Sequence, residues 1–355
     1  MPYVGRVPSA VPVTADDIPA NSIDASKIVD GAIAVADVAD NAITEAKIAD
    51  AAVVSLKSGR KNLIINGGMN VAQRATSSAA NGYVSLDRWY SNLSGGTATF
   101  SQETFAAGSD IAGNKHYAKL NTTIGNNYTA IRTRIEDVRT VAAGTITISF
   151  WAKGVTPDGG LGVWIGQDFG TSGSADVDYT AQTVNLTASW QLFSFQFTVA
   201  SMSGKTINSG SFFSVAIGQY SSSSTAAWEL DITNVQLELG SVATDFEHRS
   251  YGEELALCQR YYQLNASSTG QTYSSTVGTF AINLFTPMRD IPTAVVVATS
   301  NKIMHIGTAY RNAVNVQAME LNTLYGGTIN ITMSSTASDA RHILTGGTVG
   351  FDAEL

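Results

Sequence analysis

Branched apolar residues recur at a fixed interval near the start of the chain. Ile18, Ile23, Ile28, Ile33, Val38, Ile43, Ile48 and Val53 are eight successive residues spaced five apart. An α-helix turns through roughly 500° in five residues, so such side chains would scatter around its whole surface. In a flat strand an odd spacing would send each one to the opposite face. The pattern therefore predicts a chain that bends at regular intervals. A ten-residue unit underlies it, since "KIVDGAI" (Lys27 to Ile33) is echoed by "KIADAAV" (Lys47 to Val53). Asp-Gly and Asp-Asn supply turn chemistry in these units, and Asp24 and Thr44 are each placed to cap one helical turn. Helical turns and β-corners both satisfy the pattern. A square solenoid rung uses about twenty residues, so the segment makes fewer than two rungs and cannot hide its isoleucines alone. Copies of the same chain around a common axis bury them, and a stalk formed between chains is expected over residues 18–58. The competing reading, a disordered Ala/Asp-rich linker, does not explain the regular beat.

Beyond "SLKSGRKN" (Ser55 to Asn62) the pattern changes to alternation with period two. "TITISFWAKG" sets Ile146, Ile148 and Phe150 against Thr145, Thr147 and Ser149. "WQLFSFQFTV" sets Phe193, Phe195 and Phe197 against Leu192 and Ser194. "FFSVAIGQY" and "AAWELDITNVQLELG" are further strands, with Gly, Ser and Asn turns between them. This is the pattern of a two-sheet sandwich, expected over 59–249. Trp151, Trp190 and Trp228 are placed in its core. One helix is expected over 250–264, where Tyr251, Leu255, Cys258 and Tyr262 share a face and Ser250 with Glu253 forms a capping box. The segment 265–355 returns to short strands and glycines and reads as a small β domain. Residues 1–17 hold three of the chain's seven prolines, with a fourth at Pro19, and read as an extended arm suited to docking on another protein.

Composition narrows the function. Lys and Arg number 21 against 29 Asp and Glu, a formal charge of −8 without any basic cluster, which argues against nucleic-acid binding. The single cysteine, Cys258, rules out an intrachain disulfide framework and a cysteine-based zinc site. No apolar run approaches a membrane span, so a membrane-embedded protein is not expected.

Several sequence signals resemble a known family. "NLIINGGMNVAQRAT" (Asn62 to Thr76) followed by "DRWY" (Asp87 to Tyr90) resembles the opening of jelly-roll modules in bacteriophage tail fibre proteins. "ISFWAKG" and "DITNVQLELGSVATDFEHRSYGEELALCQRYYQ" (Asp231 to Gln263) resemble its closing half. The Ile-rich repeat is similar to tracts in phage fibres. The resemblance spans about 200 residues and implies a jelly roll like those of carbohydrate-binding modules. It also implies a homotrimer located on the virion and attached to other virion proteins of the tail by its N-terminus, with Tyr3, Val4, Arg6 and Val7 in the anchor. The distal domains would bind a host surface glycan or outer-membrane receptor. A capsid fibre fits the same layout.

Candidate chemistry is sparse. Asp168, Asp176 and Asp178 in "GQDFGTSGSADVDY" are the acids a polysaccharide-cleaving enzyme would need, or ligands for a structural calcium ion. They read more simply as a polar loop, and no EF-type spacing is present. No HExxH, no Gly-x-Ser-x-Gly elbow and no clustered histidines appear. A binding protein is expected, not an enzyme. Among aromatic residues, Trp164 between Gly162 and Gly166 is the best candidate for contact with a sugar, with Asp168 near it. Tyr310, Arg311 and Tyr325 are candidates in the C-terminal domain. Asp87 and Arg88 are expected to pair beside a structural Trp89, and His248 to hydrogen-bond at the junction of sandwich and helix.

Overall fold

In the computed structural model the described residues are 60–354, apart from short breaks at 94, 110, 112, 125–127, 142, 221–224, 265–266, 273–276, 297–301, 306–309, 324–325, 334–340 and 346–348. The expected stalk core, the anchor residues Tyr3, Val4, Arg6 and Val7, and Tyr325 lie outside them.

Twelve strands build the first half. They are β1 Ser77–Ser78, β2 Tyr90–Leu93, β3 Thr97–Thr104, β4 His116–Ile124, β5 Thr129–Glu136, β6 Gly144–Val155, β7 Leu161–Asp168, β8 Val177–Asp178, β9 Gln182–Val184, β10 Gln191–Val199, β11 Phe212–Gly218 and β12 Trp228–Leu239. One antiparallel sheet runs β1-β3-β4-β12-β6-β10. The other runs β2-β5-β11-β7-β8, with β9 also on β7. The protein is mainly β, and these sheets form the sandwich that the alternation predicts. Ile146, Ile148 and Phe150 of the first sheet meet Val163, Ile165, Val215 and Ile217 of the second in one core, all fully buried. At roughly 25 cal/mol per Å² of apolar surface, this core is the main source of the sandwich's stability.

The β12 strand changes parity along its length. Leu230 and Ile232 face the core before Asn234, and Val235 and Leu237 face it after. The register shifts between Thr233 and Gln236, and Asn234 has φ 53°. This is a β-bulge with Asn in the left-handed region that it tolerates better than most residues. The bulge frees the Val235 backbone for partners outside its sheet. Val235 N donates to Gly67 O at 2.9 Å, and Asn62 Nδ2 donates to Val235 O at 3.2 Å. Leu63 N donates to Leu237 O at 3.0 Å. The Asn62–Thr76 segment therefore straps onto the strand that ends the sandwich, so the two halves of the family-like motif meet in space.

The helix α1 spans Tyr251–Gln259, five residues shorter at its C-terminal end than expected. Ser250 caps it, its side chain accepting from Glu253 N. The buried helix residues are Glu254 and Cys258, whereas Tyr251 is 61% exposed. Of the apolar face read from spacing, Cys258 and Tyr262 are buried and Leu255 is half-buried, while Tyr251 at the first turn points to solvent and Glu254 packs inward as well. Glu254 accepts from Asn66 N at 2.6 Å and pairs with Arg249 at 3.3 Å, which fixes the helix against the strap. The chain then turns to strand, because Tyr262–Leu264 (β13) pairs with the final strand, Val349–Asp352 (β21). That strand also pairs with Thr293–Val296 (β16). Ser267–Thr272 (β14), Val277–Asn283 (β15), Lys302–His305 (β17), Tyr310–Thr323 (β18), Gly326–Met333 (β19) and Arg341–Thr345 (β20) close a barrel in the order β14-β15-β19-β18-β17-β20. Tyr310 and Arg311 are its residues at the start of β18.

A buried ion cluster joins this region to the sandwich. Glu354 pairs with Arg88 and, at 3.4 Å, with Arg74, which also meets Asp352 at 2.9 Å. Arg88 lies 3.5 Å over the Tyr261 ring and Arg74 3.7 Å over Tyr262. Asp87 and Arg88 do not pair with each other. Adjacent residues here point to different partners: Asp87 accepts from Gln73 N at 3.0 Å, and Arg88 donates to Arg134 O. Trp89 between these partners is fully buried, its Nε1 donating to Asn66 O at 3.0 Å. The junction role expected of His248 belongs to Arg249, which donates to Ile64 O at 3.0 Å and to Asn62 O. His248 is exposed and packs edge-on against Phe246.

Candidate functional site

The outer face of the second sheet carries a pocket of about 300 Å³. Its floor follows from strand register. In one cross-strand row, Tyr90 of β2 faces Arg132 of β5, then Ala216 of β11, then Trp164 of β7. The next row runs Asn92, Ala130, Gly218, Gly162, and the row on the other side Arg134, Ser214, Gly166, Asp178. Small residues thus occupy the middle positions of these rows, with larger ones around them, and the outcome is a depression instead of a packed ridge.

The walls are aromatic. Trp164 packs on Tyr220 with ring centroids 5.0 Å apart, and Tyr128 meets both, at 5.4 Å from Tyr220 and 6.4 Å from Trp164. Ala130, Ala216 and Ala181 pack around Trp164. Tyr128 is 40% exposed and has φ 61°, a conformation few side chains adopt outside turns or functional positions. Tyr179 is held by its hydroxyl, which donates to Gln167 Oε1 at 2.8 Å and accepts from Ala200 N at 2.7 Å. Polar groups complete the rim: Asn92, Arg132 and Asp178 line the same space. Burial and the neighbouring Arg134 hold the Arg132 pKa below the usual guanidinium range, in that order of weight.

Trp164, the candidate for sugar contact, is among the residues lining the pocket. Its side chain is nearly buried, at 6% exposure, packed beneath Tyr220 and Tyr128. Asp168 is not part of the pocket. It caps the next turn, accepting from Gly170 N at 2.8 Å, and Asp178 lines the pocket instead. Trp151 and Trp190, expected in the core, lie partly exposed. Trp151 sits one residue beyond the core residue Phe150, on the other face of β6. Trp190 joins Tyr117 and Phe105, 5.5 and 5.3 Å away, with Lys153 over its ring. Trp228 is buried, its Nε1 donating to Gln219 Oε1 at 3.0 Å. Sequence reasoning missed Tyr128, Arg132 and Tyr220. "TAIRTRIE" carried a signal for the arginine, since Arg132 and Arg134 alternate with Ile131, Thr133 and Ile135.

Among the described residues no three His, Cys, Asp or Glu side chains converge as metal ligands would. No described helix is long and apolar enough to cross a membrane.

Fold and site together define a β-sandwich with an aromatic, polar-rimmed pocket on one sheet. No protein-family model and no curated protein matches the sequence. Solved structures with similar folds include a family 4 carbohydrate-binding module at 21% identity, covering 49% of this chain and 97% of that one, with a TM-score of 0.30. A family 11 module from a Clostridium thermocellum cellulase shares 14% identity over 48% and 97% of the two chains, at 0.29. The enzymatically active domain of tailspike protein 4 from bacteriophage CBA120 shares 11% identity, with a TM-score of 0.28. It matches 50% of this chain but only 21% of that one.

Proposed function

We propose that the chain is a fibre subunit of a bacteriophage virion and that its sandwich holds host-surface glycan without cleaving it. The observation that carries the glycan reading is the ring arrangement of Trp164, Tyr220 and Tyr128 over a floor of Ala and Gly. Flat ring surfaces take the C–H face of a sugar, and Asn92, Arg132 and Asp178 are placed to hydrogen-bond its hydroxyls. Asp178 is the carboxylate among the pocket's lining residues, and with Asn92 and Arg132 it makes a set suited to hydrogen-bonding sugar hydroxyls.

The fibre reading rests on the five-residue beat, which needs other copies of the chain, and on the extended arm before it. A homotrimer anchored to the virion by that arm would present three pockets per fibre, and several fibres would multiply weak sites by avidity. Incubating the full chain with host surface polysaccharide tests the reading. Retention of polysaccharide of unchanged length is expected, with retention lost in Tyr128→Ala. Release of shortened oligosaccharides would overturn the binding-only assignment, and absence of retention the glycan assignment.

A further inference from the structure

Arg132 stands apart from the other well-packed arginines of the structure. Arg74 meets Asp352 at 2.9 Å, Arg88 meets Glu354, Arg249 meets Glu254 at 3.3 Å and Arg289 meets Glu136 at 3.6 Å. Arg132 has no such carboxylate within ion-pair distance among the described residues; its Nε is buried with no hydrogen-bond acceptor, as are those of Arg88, Arg249 and Arg289, so the missing carboxylate is what distinguishes it. Its immediate neighbour on the same strand face is another cation, Arg134. The acid on the far wall, Asp178, lies beyond ion-pair distance and offsets the Arg132 charge only across the pocket, less than burial and Arg134 oppose it. Strands β11 and β7 separate β5 from β8, placing the two backbones roughly 14 Å apart at the usual ~4.8 Å strand spacing.

A guanidinium drawn partly out of water beside a like charge costs free energy unless an anion joins it. The open side of Arg132 is the pocket itself. We infer that the pocket selects an acidic glycan, in which a carboxylate or sulfate on the sugar docks on Arg132 while the ring lies against Tyr128 and Tyr220. This rests on the glycan reading above and adds the charge of the ligand. The planar fork of arginine suits a two-oxygen anion, which it can hold bidentately. Asp178 on the opposite wall accepts from hydroxyls and disfavours an anion bound in the reversed orientation. The chain as a whole is acidic, at −8, so the selectivity is local and does not come from bulk charge.

Calorimetric titration of the full chain with four polymers tests the inference. Sodium polygalacturonate is the carboxylate arm, and the same polymer after carboxyl reduction is its neutral control. Dextran sulfate is the sulfate arm, with dextran as control. At least one acidic polymer is expected to bind about tenfold or more tightly than its neutral control, and to weaken as NaCl is raised. Arg132→Gln, with an unchanged melting temperature, should erase that preference, and Arg132→Lys should restore part of it. Equal affinity for acidic and neutral forms overturns the charge inference and leaves the glycan reading standing. A preference that survives in Arg132→Gln also overturns it. Failure of all four polymers to bind overturns the charge inference, and it removes the glycan reading as well only if host polysaccharide is also not retained.

Discussion

Gly162 of β7 lies directly against Tyr220: a Cβ at position 162 would stand 2.9 Å from the Cβ of Tyr220 and 3.3 Å from Gly218 O. One wall of the pocket is therefore seated by the absence of a side chain. Gly162→Ala should displace Tyr220 and open its 5.0 Å packing on Trp164. Overpacking of this kind costs about 1–3 kcal/mol. The expected outcome is a glycan affinity reduced about tenfold or more in titrations, beyond what a modest fall in melting temperature explains. Unchanged affinity would mean that Tyr220 does not contact the ligand.

The pair between Arg88 and Glu354 is almost wholly enclosed, with side-chain exposures of 1% and 6%. Truncating one member strands the other charge, which costs about 3–5 kcal/mol. Glu354→Ala should lower the urea midpoint accordingly, whereas Arg139→Ala, which breaks an exposed pair with Asp137, should change it little. Equal effects would show that the buried cluster does not anchor the C-terminal segment.

Asp87 should make stability depend on pH. Burial raises its pKa to about 6 from 3.8, against the lowering influence of Arg74 and Gln73. The folded state then holds more protons than the unfolded state between about pH 4 and about pH 6, so this group's contribution declines as pH rises through that window. The shift corresponds to on the order of 2–3 kcal/mol. Asp87→Asn loses an acceptor for Gln73 at every pH, but should flatten the slope. Denaturation curves across the window, wild type against variant, read the difference directly. Parallel slopes would exclude Asp87 as their source.

The repeat segment carries a prediction of its own. Ile28, Ile33 and Ile43 changed together to Ser should reduce the mass by light scattering from three chains to one, while the sandwich keeps its melting transition. A wild-type monomer at micromolar concentration would end the stalk account.

The sandwich was legible because strands such as β10 alternate cleanly, and the helix start because Ser250 and Glu253 have the spacing of a cap. The failures have physical causes. β6 carries Phe150 and Trp151 side by side, so two large aromatics must face opposite ways, and hydrophobicity alone sent both inward. The helix ends early because Tyr262 is recruited by a strand nearly ninety residues away in sequence. Asn234 hides a parity change that no alternation count detects. The pocket draws on residues from 92 to 220, and only strand order reveals that Arg132, Ala216 and Trp164 form one row.

The strap between Asn62 and β12 has a mechanical consequence. The chain enters the sandwich at Leu63, bonded to Leu237 at 3.0 Å, and leaves it beside Arg249, which grips Asn62 and Ile64. Arg60 and Glu253 bridge the same two points. Tension between the N-terminal segment and the C-terminal barrel would pass across this short clasp, bypassing the sheets. The pocket, on the outer face of the second sheet, lies off that line, so such tension would leave its geometry unchanged.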